Sequence, residues 1–245
     1  MKLKGKIAVI TGGSRGLGKA IAKKFLEEGA VVIITATKED KLRETAEELS
    51  KLGNIEGMVM NVSQFDDVQK IIGKITEKYG VVDILVNNAG ITADSQLVNM
   101  TEAQFDSVIA VNLKGVFNCA KAVVGNMIEH GYGRIINISS VTAHNGNFGQ
   151  TNYTASKAGV IAMTQTWAKE LGKKGITVNA VAPGYTLTEM VEAVPEKALE
   201  AIKEKTPVKR LGKPEEIAAA CVYLSSDEAA FVTGVVLKVD GGLVL

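Results

Sequence analysis

The chain has 245 residues, of which 46% are hydrophobic, so it can bury a full core, and α/β folds of this size commonly form one domain. Lys and Arg number 28 against 27 Asp and Glu, which leaves no global field to attract nucleic acid or an anionic membrane. The two cysteines, Cys119 and Cys221, are far apart and have no ligand motif beside them, which argues against a disulfide framework or a zinc site.

Short apolar runs alternate with segments of helical period along the whole chain. The predicted strands are 6–12, 31–35, 55–62, 82–86, 134–139, 176–181 and 235–239, and the predicted helices are 15–28, 40–52, 68–79, 101–128, 152–171 and segments around 195–224. This alternation predicts the α/β class, as a single-domain doubly wound Rossmann fold over 1–245, with a seven-stranded parallel sheet flanked by helices on both faces. Helix caps are expected at Ser63 and Thr101.

The turn after the first predicted strand, T-G-G-S-R-G-L-G at 11–18, is rich in glycine. Gly12 permits a sharp turn, Gly16 lets the backbone approach a ligand, and Gly18 lets the helix pack closely on the sheet. The free N–H groups at the helix start would then face a pyrophosphate. A plain flexible turn has the same composition, but the position after the first strand favours a dinucleotide site.

The end of the second predicted strand, V-V-I-I-T-A-T-K, indicates which dinucleotide binds. A site for NAD normally has a carboxylate here for the ribose 2′-hydroxyl, and no acid occurs before Glu39. Thr37 can donate a hydrogen bond, while Arg15 and Lys38 can contact a 2′-phosphate. The predicted cofactor is therefore NADP(H), and the alternative is that both basic residues are ordinary surface charges.

Three further features follow later strands or interrupt a helix. The fourth strand ends in N-N-A-G at 87–90, which either permits close approach to an adenosine or ribose or forms a simple turn. Asn112 lies inside a long helix, an unfavourable position unless its side chain has another task. After the sixth strand comes P-G-Y-T-L-T at 183–188, and the stretch 186–213, with two prolines and a basic face, is interpreted as a mobile lid or a solvated helix.

The stretch 135–157 carries the predicted chemistry. Tyr153 and Lys157 are four residues apart in a predicted helix, so both side chains leave the same face. A cation beside a phenol favours the phenolate, so we expect a lowered pKa that makes Tyr153 a candidate general acid or base. Ser140, thirteen residues earlier, would converge with the phenol on one carbonyl oxygen if the loop folds back. The simpler interpretation is a partly buried tyrosine beside a solvated lysine.

Taken together, these motifs resemble the short-chain dehydrogenase/reductase family along essentially the whole chain. The shared motifs are T-G-x-x-x-G-x-G at 11–18, N-N-A-G at 87–90, Asn112, Ser140, Y-x-x-x-K at 153–157 and P-G at 183–184. Within the family the chain is most similar to the bacterial 3-oxoacyl-[acyl-carrier-protein] reductases. The resemblance implies NADPH-dependent reduction of a 3-oxoacyl thioester to the 3-hydroxyacyl thioester in fatty acid synthesis.

The resemblance also implies roles for the site residues. Tyr153 would donate a proton to the substrate oxygen, and Ser140 would hydrogen-bond that oxygen. Lys157 would bind the nicotinamide ribose and lower the tyrosine pKa, while Asn112 would anchor a water of the proton relay. Asn61 and Val62 would contact adenine, and Thr188 the carboxamide. No metal ligand is predicted. The residues predicted to bind the cofactor are Gly12, Ser14, Arg15, Gly16, Leu17, Gly18, Thr37, Asn61, Val62, Asn88, Ala89, Gly90, Tyr153, Lys157, Pro183, Gly184, Thr186 and Thr188.

The resemblance is incomplete at the surface expected to bind acyl-carrier protein, which is an acidic partner. Such reductases commonly have basic residues after the fourth helix, where this chain has E-H-G-Y-G at 129–133; Lys173 and Lys174 remain. A coenzyme A thioester is therefore an alternative to the carrier-protein substrate. A small ketone, alcohol, sugar or quinone is a further alternative, and a non-enzymatic dinucleotide-binding regulator is a more distant one.

The family further implies a homotetramer, formed through helices 101–128 and 152–171 and the C-terminal tail. No apolar run approaches the ~20 residues that span a bilayer, and the first residues do not form a leader. A cytoplasmic location is expected, without nucleic acid or membrane partners.

Overall fold

The computed structural model describes residues 1–189 and 196–243, in which a seven-stranded sheet lies between two layers of helices. The strands are β1 (Ile7–Thr11), β2 (Val31–Ala36), β3 (Ile55–Val59), β4 (Ile84–Asn87), β5 (Gly133–Ile138), β6 (Ile176–Pro183) and β7 (Val236–Val239). Every neighbouring pair is parallel, and the order across the sheet is β3-β2-β1-β4-β5-β6-β7. The winding reverses between β1 and β4, which places the ligand crevice beyond their carboxyl ends.

Two layers of helices cover the sheet. The helices are α1 (Gly16–Glu27), α2 (Glu39–Leu49), α3 (Phe65–Tyr79), α4 (Glu102–Ile109), α5 (Gly115–His130), the short α6 (Thr142–Asn145), α7 (Thr151–Leu171), α8 (Glu196–Lys205) and α9 (Pro214–Ser225). The apolar faces of α1, α2 and α9 pack on one side, and those of α3, α5 and α7 pack on the other. The predicted doubly wound Rossmann fold is confirmed.

The strands alternate their side chains between the two layers, as a sheet buried on both faces requires. In β1, Ala8 and Ile10 pack under α1, while Val9 packs on the opposite side; in β4, Ile84 and Leu85 divide in the same way. All five residues are fully buried. This double burial explains why the strands appear in the sequence as continuous apolar runs instead of alternating ones.

The start of α3 differs from the prediction. Strand β3 ends at Val59 and not at residue 62, and the residue that precedes α3 is Gln64, whose side chain makes no capping hydrogen bond. The expected cap at Ser63 is wrong, because its hydroxyl instead donates to Asn61 Oδ1 at 2.8 Å. Asn61 N donates to Asp67 Oδ2 at 2.7 Å, so a local side-chain turn replaces the cap.

The predicted helix 101–128 is found as α4 and α5 joined by a π-helical turn, Ala110–Lys114. Its predicted cap is confirmed: Thr101 Oγ1 accepts from Gln104 N at 3.2 Å, and Gln104 Oε1 accepts from Thr101 N at 2.9 Å. The π turn places one extra residue in the helix, and Asn112 lies at the middle of this turn.

The joined helix Glu102–His130 has the length and apolar composition of a membrane span, and 44% of its most apolar window is buried inside the protein. The expectation that no segment reaches this composition is therefore wrong. Within the structure, α5 packs against α3, β4 and β5, which is the arrangement of a core helix.

Candidate active site and dinucleotide crevice

The glycine-rich turn after β1 is packed too tightly for side chains at three of its positions, among them Gly12 and Gly18. Gly12 has φ +66° and Gly16 has φ +52°, which lie in the left-handed region that favours glycine. A Cβ at Gly18 would lie 2.2 Å from Gly12 O, and one at Gly12 would lie 2.9 Å from Ala89 Cα. The turn is thereby held against both α1 and the segment that follows β4.

The start of α1 presents backbone donors that fit an anionic ligand. Arg15 precedes the helix in extended conformation, its side chain makes no capping hydrogen bond, and the first turn contains no acid. The first N–H groups of the helix, at Gly16, Leu17 and Gly18, have no partner within the helix. Thr45 Oγ1 donates to Ser14 O at 2.8 Å and fixes the turn from behind. This set of donors suits a dinucleotide pyrophosphate.

The N-N-A-G segment after β4 is attached to the same turn by Thr11. The hydroxyl Oγ1 of Thr11 accepts from Asn88 N and from Ala89 N, each at 3.0 Å. Asn88 Nδ2 donates to Thr11 O at 2.9 Å and to Gly12 O at 3.2 Å. The Asn88 Nδ2 group therefore works as a structural link between two loops, so a contact from this residue to a cofactor would come from its Oδ1 or its backbone carbonyl.

Asn112 is fully buried in the π turn, and its amide binds the residue that follows N-N-A-G. Its Oδ1 accepts from Ile91 N at 2.8 Å and its Nδ2 donates to Ile91 O at 2.9 Å. A Cβ on Gly90 would lie 3.4 Å from Asn112 Oδ1 and 3.7 Å from Lys157 Nζ. The structure thus brings Asn112, Gly90 and Lys157 together. The Asn112 side chain holds the backbone of Ile91, which is a tertiary role of the kind that an asparagine inside a helix suggested.

Tyr153 and Lys157 meet on one face of α7 beside the end of β5. Lys157 Nζ lies 5.6 Å from the centroid of the Tyr153 ring and donates to Ile138 O at 2.7 Å. Ser139 Oγ donates to Lys157 O at 3.0 Å, which fastens the strand end to the helix. Ser139 is therefore used structurally, which leaves Ser140 as the serine of this pair that can face the phenol.

Burial shifts the pKa values of this pair in opposite directions. It raises the pKa of Tyr153 to about 12; the nearby Ser140 hydroxyl opposes this rise, and Asp94 adds to it. Burial also lowers the pKa of Lys157 to about 8. The expectation that Lys157 lowers the Tyr153 pKa is wrong for this structure, because desolvation of the phenol is the largest effect. The phenol is consequently protonated at neutral pH and suited to donate a proton.

Ser140 is positioned by the turn after β5. Its Oγ accepts from Thr142 N at 3.2 Å and from Thr142 Oγ1 at 3.0 Å, which leaves its own proton free to point elsewhere. Among the hydrogen bonds of the described residues, none joins Ser140 directly to the Tyr153 phenol, although the two side chains lie close enough to influence the pKa. The two side chains are therefore close together, as predicted, without a direct hydrogen bond between them.

The residues predicted to choose between the two dinucleotides lie at the outer end of the crevice. Thr37, Lys38 and Arg15 are exposed, and Arg15 Nη1 lies 3.2 Å from Glu189 Oε2. The first acid after β2 is Glu39, which is the first residue of α2. Directly after β2 the chain thus has the exposed residues Thr37 and Lys38 and no carboxylate before Glu39, while Arg15 is paired with Glu189.

The predicted adenine contacts occupy the loop after β3. Asn61 uses its Oδ1 for Ser63, as described above, and Val62 is 7% exposed. Val62 O accepts from Asn118 Nδ2 at 2.8 Å, and a Cβ on Gly115 would lie 2.7 Å from Val62 Cγ2. The loop is therefore fixed against α5 at the carboxyl end of β3, and little of the Val62 side chain is exposed.

The segment after β6 approaches the glycine-rich turn from the other side of the crevice. A Cβ on Gly16 would lie 3.8 Å from Thr188 Cγ2. Thr186 is 4% exposed and donates to Gly184 O at 3.1 Å. A Cβ on Gly184, which follows Pro183, would lie 2.8 Å from Asp240 Cα, so this glycine permits close contact with the end of β7.

The predicted lid contains α8, while residues 190–195, including Pro195, lie outside the described residues. Within the described part, three of the basic groups have acidic partners: Lys203 with Glu200, Lys209 with Glu204, and Arg210 with Glu216. Paired charges on an exposed surface favour the interpretation of this stretch as a solvated helix over that of a basic lid.

Three residues around the start of α7 were not predicted as functional: Asp94, Gln150 and Asn152. Asn152 is 0% exposed, and Gln150 Nε2 donates to Asp94 Oδ2 at 2.7 Å. The only signal in the sequence was an asparagine placed directly before the tyrosine of the Y-x-x-x-K motif. Its partners, Ala93 O and Gln104 O, are distant in the chain, so spacing alone does not reveal them.

Comparison with known proteins gives consistent matches along the chain. A family model described as enoyl-(acyl carrier protein) reductase matches residues 12–244. The 3-oxoacyl-[acyl-carrier-protein] reductase FabG of Thermotoga maritima is 50% identical over 246 residues, which covers 100% of both chains. The protein of the same name from Escherichia coli K12 is 44% identical over 243 residues and 99% of each chain.

A solved structure shares the fold in full. The crystal structure of a candidate gluconate dehydrogenase from Agrobacterium tumefaciens superposes with a TM-score of 0.97 at 34% identity, covering 100% of this chain and 98% of that one.

Proposed function

The chain belongs to the short-chain dehydrogenase/reductase family, and from this premise we propose that it reduces 3-oxoacyl thioesters of acyl-carrier protein to 3-hydroxyacyl thioesters, with NADPH, in fatty acid synthesis. The observation that carries the proposal is the meeting of Tyr153, Lys157 and Ser140 beyond the end of β5, beside a turn built for a pyrophosphate. Full-length similarity to reductases of that name supports the choice of substrate.

NADP(H) fits the described donor set. The backbone at 12–18 would hold the pyrophosphate, Arg15 and Thr37 the 2′-phosphate, Asn61 and Val62 the adenine, and Lys157 the nicotinamide ribose. The remaining contacts are assigned to Asn88, Ala89, Gly90, Pro183, Gly184, Thr186 and Thr188. When bound, the nicotinamide supplies the hydride for the 3-keto carbon. The absence of an acid between β2 and Glu39 supports the phosphorylated cofactor over NAD.

Proton delivery is assigned to Tyr153. With a pKa raised to about 12, the phenol holds its proton at neutral pH and can donate it to the ketone oxygen as negative charge develops there. Ser140 would hydrogen-bond the same oxygen and stabilise that charge. Lys157, whose pKa of about 8 lies near neutral, would stabilise the phenolate that remains and help return a proton to it from the Asn112 side.

Steady-state kinetics test the proposal directly. Rates are measured with NADPH and NADH against a 3-oxoacyl-carrier-protein thioester, acetoacetyl-CoA and a panel of simple ketones. The proposal expects the highest kcat/KM for NADPH with the carrier-protein thioester. Faster turnover of ketones than of either thioester would overturn the assigned substrate and leave the redox chemistry in place.

A second candidate is a dehydrogenase of a small alcohol, sugar or sugar acid. It is favoured by the full-length structural match at 34% identity to a candidate gluconate dehydrogenase. Oxidation of polyols or aldonates with NAD in the same assay panel would support it, because such enzymes commonly run in the oxidative direction.

The docking surface for acyl-carrier protein is proposed at the corner where α5 ends. A Cβ on Gly175 would lie 2.1 Å from Gly131 O, so the exposed pair Lys173 and Lys174 lies beside the exposed residues Glu129 and His130. The two lysines are suited to an acidic partner, while Glu129 opposes it. Exchange of Lys173 and Lys174 for Glu is expected to raise KM for the carrier-protein thioester and leave that for acetoacetyl-CoA unchanged.

We also propose a homotetramer in the cytoplasm. A groove of about 260 Å³ lies between α5 and α7, lined by Phe117, Val124, Trp167 and Leu171 among others. Phe117 is 47% exposed, so a second copy of the chain would cover apolar surface there. The net charge of +1 offers no basis for binding nucleic acid or an anionic membrane.

A further inference from the structure

Asn152 precedes Tyr153 in the first turn of α7 and uses its whole amide on backbone groups. Its Nδ2 donates to Ala93 O at 3.0 Å and to Gln104 O at 3.1 Å, and its Oδ1 accepts from Tyr153 N at 2.7 Å. The side chain is 0% exposed. Burying an amide is unfavourable unless it is hydrogen-bonded, so these three bonds account for an asparagine at this position.

The two carbonyls belong to elements that are distant in the chain. Ala93 lies in the segment 91–95 after β4, which we call the strap, and Gln104 lies in α4. The strap is held to the start of α7 at two further points: Gln150 Nε2 donates to Asp94 Oδ2 at 2.7 Å, and Ser95 N donates to Gly149 O at 2.8 Å. Of the three attachments, that of Asn152 is the buried one, and it lies next to the reactive tyrosine.

The first turn of α7 has no other side-chain cap. Gln150 precedes the helix and makes no capping hydrogen bond, so the Tyr153 N–H would lack an acceptor without Asn152 Oδ1. One amide thus satisfies the backbone of the tyrosine and ties that backbone to the strap and to α4. A turn held in this way cannot move away from the strap and α4 without breaking the two hydrogen bonds that the fully buried Asn152 side chain makes to them.

We propose that Asn152 is a positioning residue for the reaction: it fixes the Tyr153 phenol relative to Ser140 by tying the first turn of α7 to the strap and to α4. The inference rests on the proposed function in one respect, which is that Tyr153 donates the proton. Since misplacement of a reacting group by about 1 Å can cost about 100-fold in rate, loss of these contacts is expected to act on kcat.

The test compares two substitutions at this position with a matched control. Asn152→Ala removes all three hydrogen bonds. Asn152→Ser keeps a hydroxyl that can accept from Tyr153 N–H but is too short to reach the two carbonyls. Because it keeps this acceptor, the serine variant is the less disruptive of the two for folding. Asn179→Ala is the control, because Asn179 is also 0% exposed, donates to Val232 O at 2.8 Å and accepts from Val235 N at 3.2 Å, on β6. For each protein, kcat, KM for NADPH, the free energy of unfolding and amide hydrogen exchange are measured.

Both Asn152 variants are expected to lose about 10- to 100-fold in kcat with KM for NADPH within about twofold of the parent. Amide exchange should accelerate in the strap and in residues 151–157. The Asn179 variant should lose comparable stability and keep kcat and local exchange. The inference is overturned if both Asn152 variants keep the kcat of the parent, or if amide exchange in the strap and in residues 151–157 stays at the rate of the parent. An equal loss of kcat in Asn179→Ala would also overturn it. If the parent reduces no 3-oxoacyl thioester, the proposed function fails while the exchange measurement still decides the role of Asn152.

Discussion

At the residue scale, the proposed chemistry depends on a buried lysine and a half-buried tyrosine. The four-residue spacing was enough to predict that Tyr153 and Lys157 share a face of one helix. The direction of the tyrosine pKa shift was not predictable, because it depends on how much water the rest of the fold removes from the phenol. Desolvation comes from elements far away in the sequence, and it exceeds the opposing effect of the Ser140 hydroxyl.

The pKa of Lys157 makes a prediction about stability. Its folded value of about 8 lies below the ordinary value of 10.5, so across that window the unfolded chain holds a proton that the folded chain has lost. Stability contributed by this group therefore rises as pH increases from about 8 toward 10.5, and below that window the burial penalty is fully present.

Lys157→Met removes this titrating group. The unfolding free energy of the parent minus that of Lys157→Met should therefore increase by about 1–3 kcal/mol between about pH 7 and pH 10. Urea unfolding of both proteins at a series of pH values measures it. Other titrating groups largely cancel in the difference. A difference that stays constant across the series would show that Lys157 keeps an ordinary pKa in the fold.

Arg15 offers a second prediction at this scale, for cofactor choice. If its guanidinium binds the 2′-phosphate, Arg15→Ala should weaken NADPH binding by about 10- to 100-fold, which corresponds to a charge-assisted hydrogen bond of about 1.5–3 kcal/mol. NADH binding should change by less than about twofold. Fluorescence titration with both dinucleotides distinguishes the cases, and an equal loss for both would place Arg15 elsewhere in the crevice.

At the element scale, local signals predicted most helices and failed where a side chain hydrogen-bonds to a partner other than the one its sequence pattern favours. Thr101 and Gln104 form the expected capping box because both partners lie within one turn. Ser63 does not cap α3, because Asn61 offers its hydroxyl an acceptor two residues away. Asn152 was missed because its partners, Ala93 and Gln104, are brought to it only by the assembled fold.

The glycine-rich turn leads to a prediction that uses two helical glycines. Gly18→Ala would place a Cβ 2.2 Å from Gly12 O, so the backbone must shift and NADPH affinity and stability should both fall. Gly73→Ala in α3 is the control, because nothing lies within 4 Å of its Cβ position. This control should be stabilised by about 0.5–1 kcal/mol through its higher helix propensity.

Urea unfolding and NADPH titration check both glycine variants together. Unchanged NADPH affinity in Gly18→Ala would mean that the close contact between α1 and the turn is not needed to shape the pyrophosphate site.

At the scale of the whole molecule, the alternation of strands and helices predicted a doubly wound parallel sheet, and the structure supplies the strand order that places β1 beside β4. The crevice at this reversal unites the glycine-rich turn, N-N-A-G and the end of β5, which are dispersed along the sequence. The apolar composition of Glu102–His130 was underestimated, since two moderately apolar helices are joined through a π turn.

Assembly can be tested at the groove between α5 and α7. Phe117→Glu places a charge in the surface proposed to bind a second copy, so a tetrameric parent should dissociate into smaller species. Leu52→Glu is the control, because Leu52 is 38% exposed and lies far from this groove, in the turn after α2. Sedimentation velocity gives the result, and a monomeric parent, or an intact tetramer in the Phe117 variant, would contradict the proposed interface.

The most direct measurement is the comparison of the parent with Tyr153→Phe, which removes one hydroxyl and leaves the ring that packs beside Lys157. NADPH should bind to the variant within about twofold of its parent affinity, while turnover of the 3-oxoacyl-carrier-protein thioester should fall by about 100- to 10,000-fold, the range expected for loss of a general acid. Turnover close to that of the parent in a variant that still binds NADPH would contradict the assignment of Tyr153 as the proton donor.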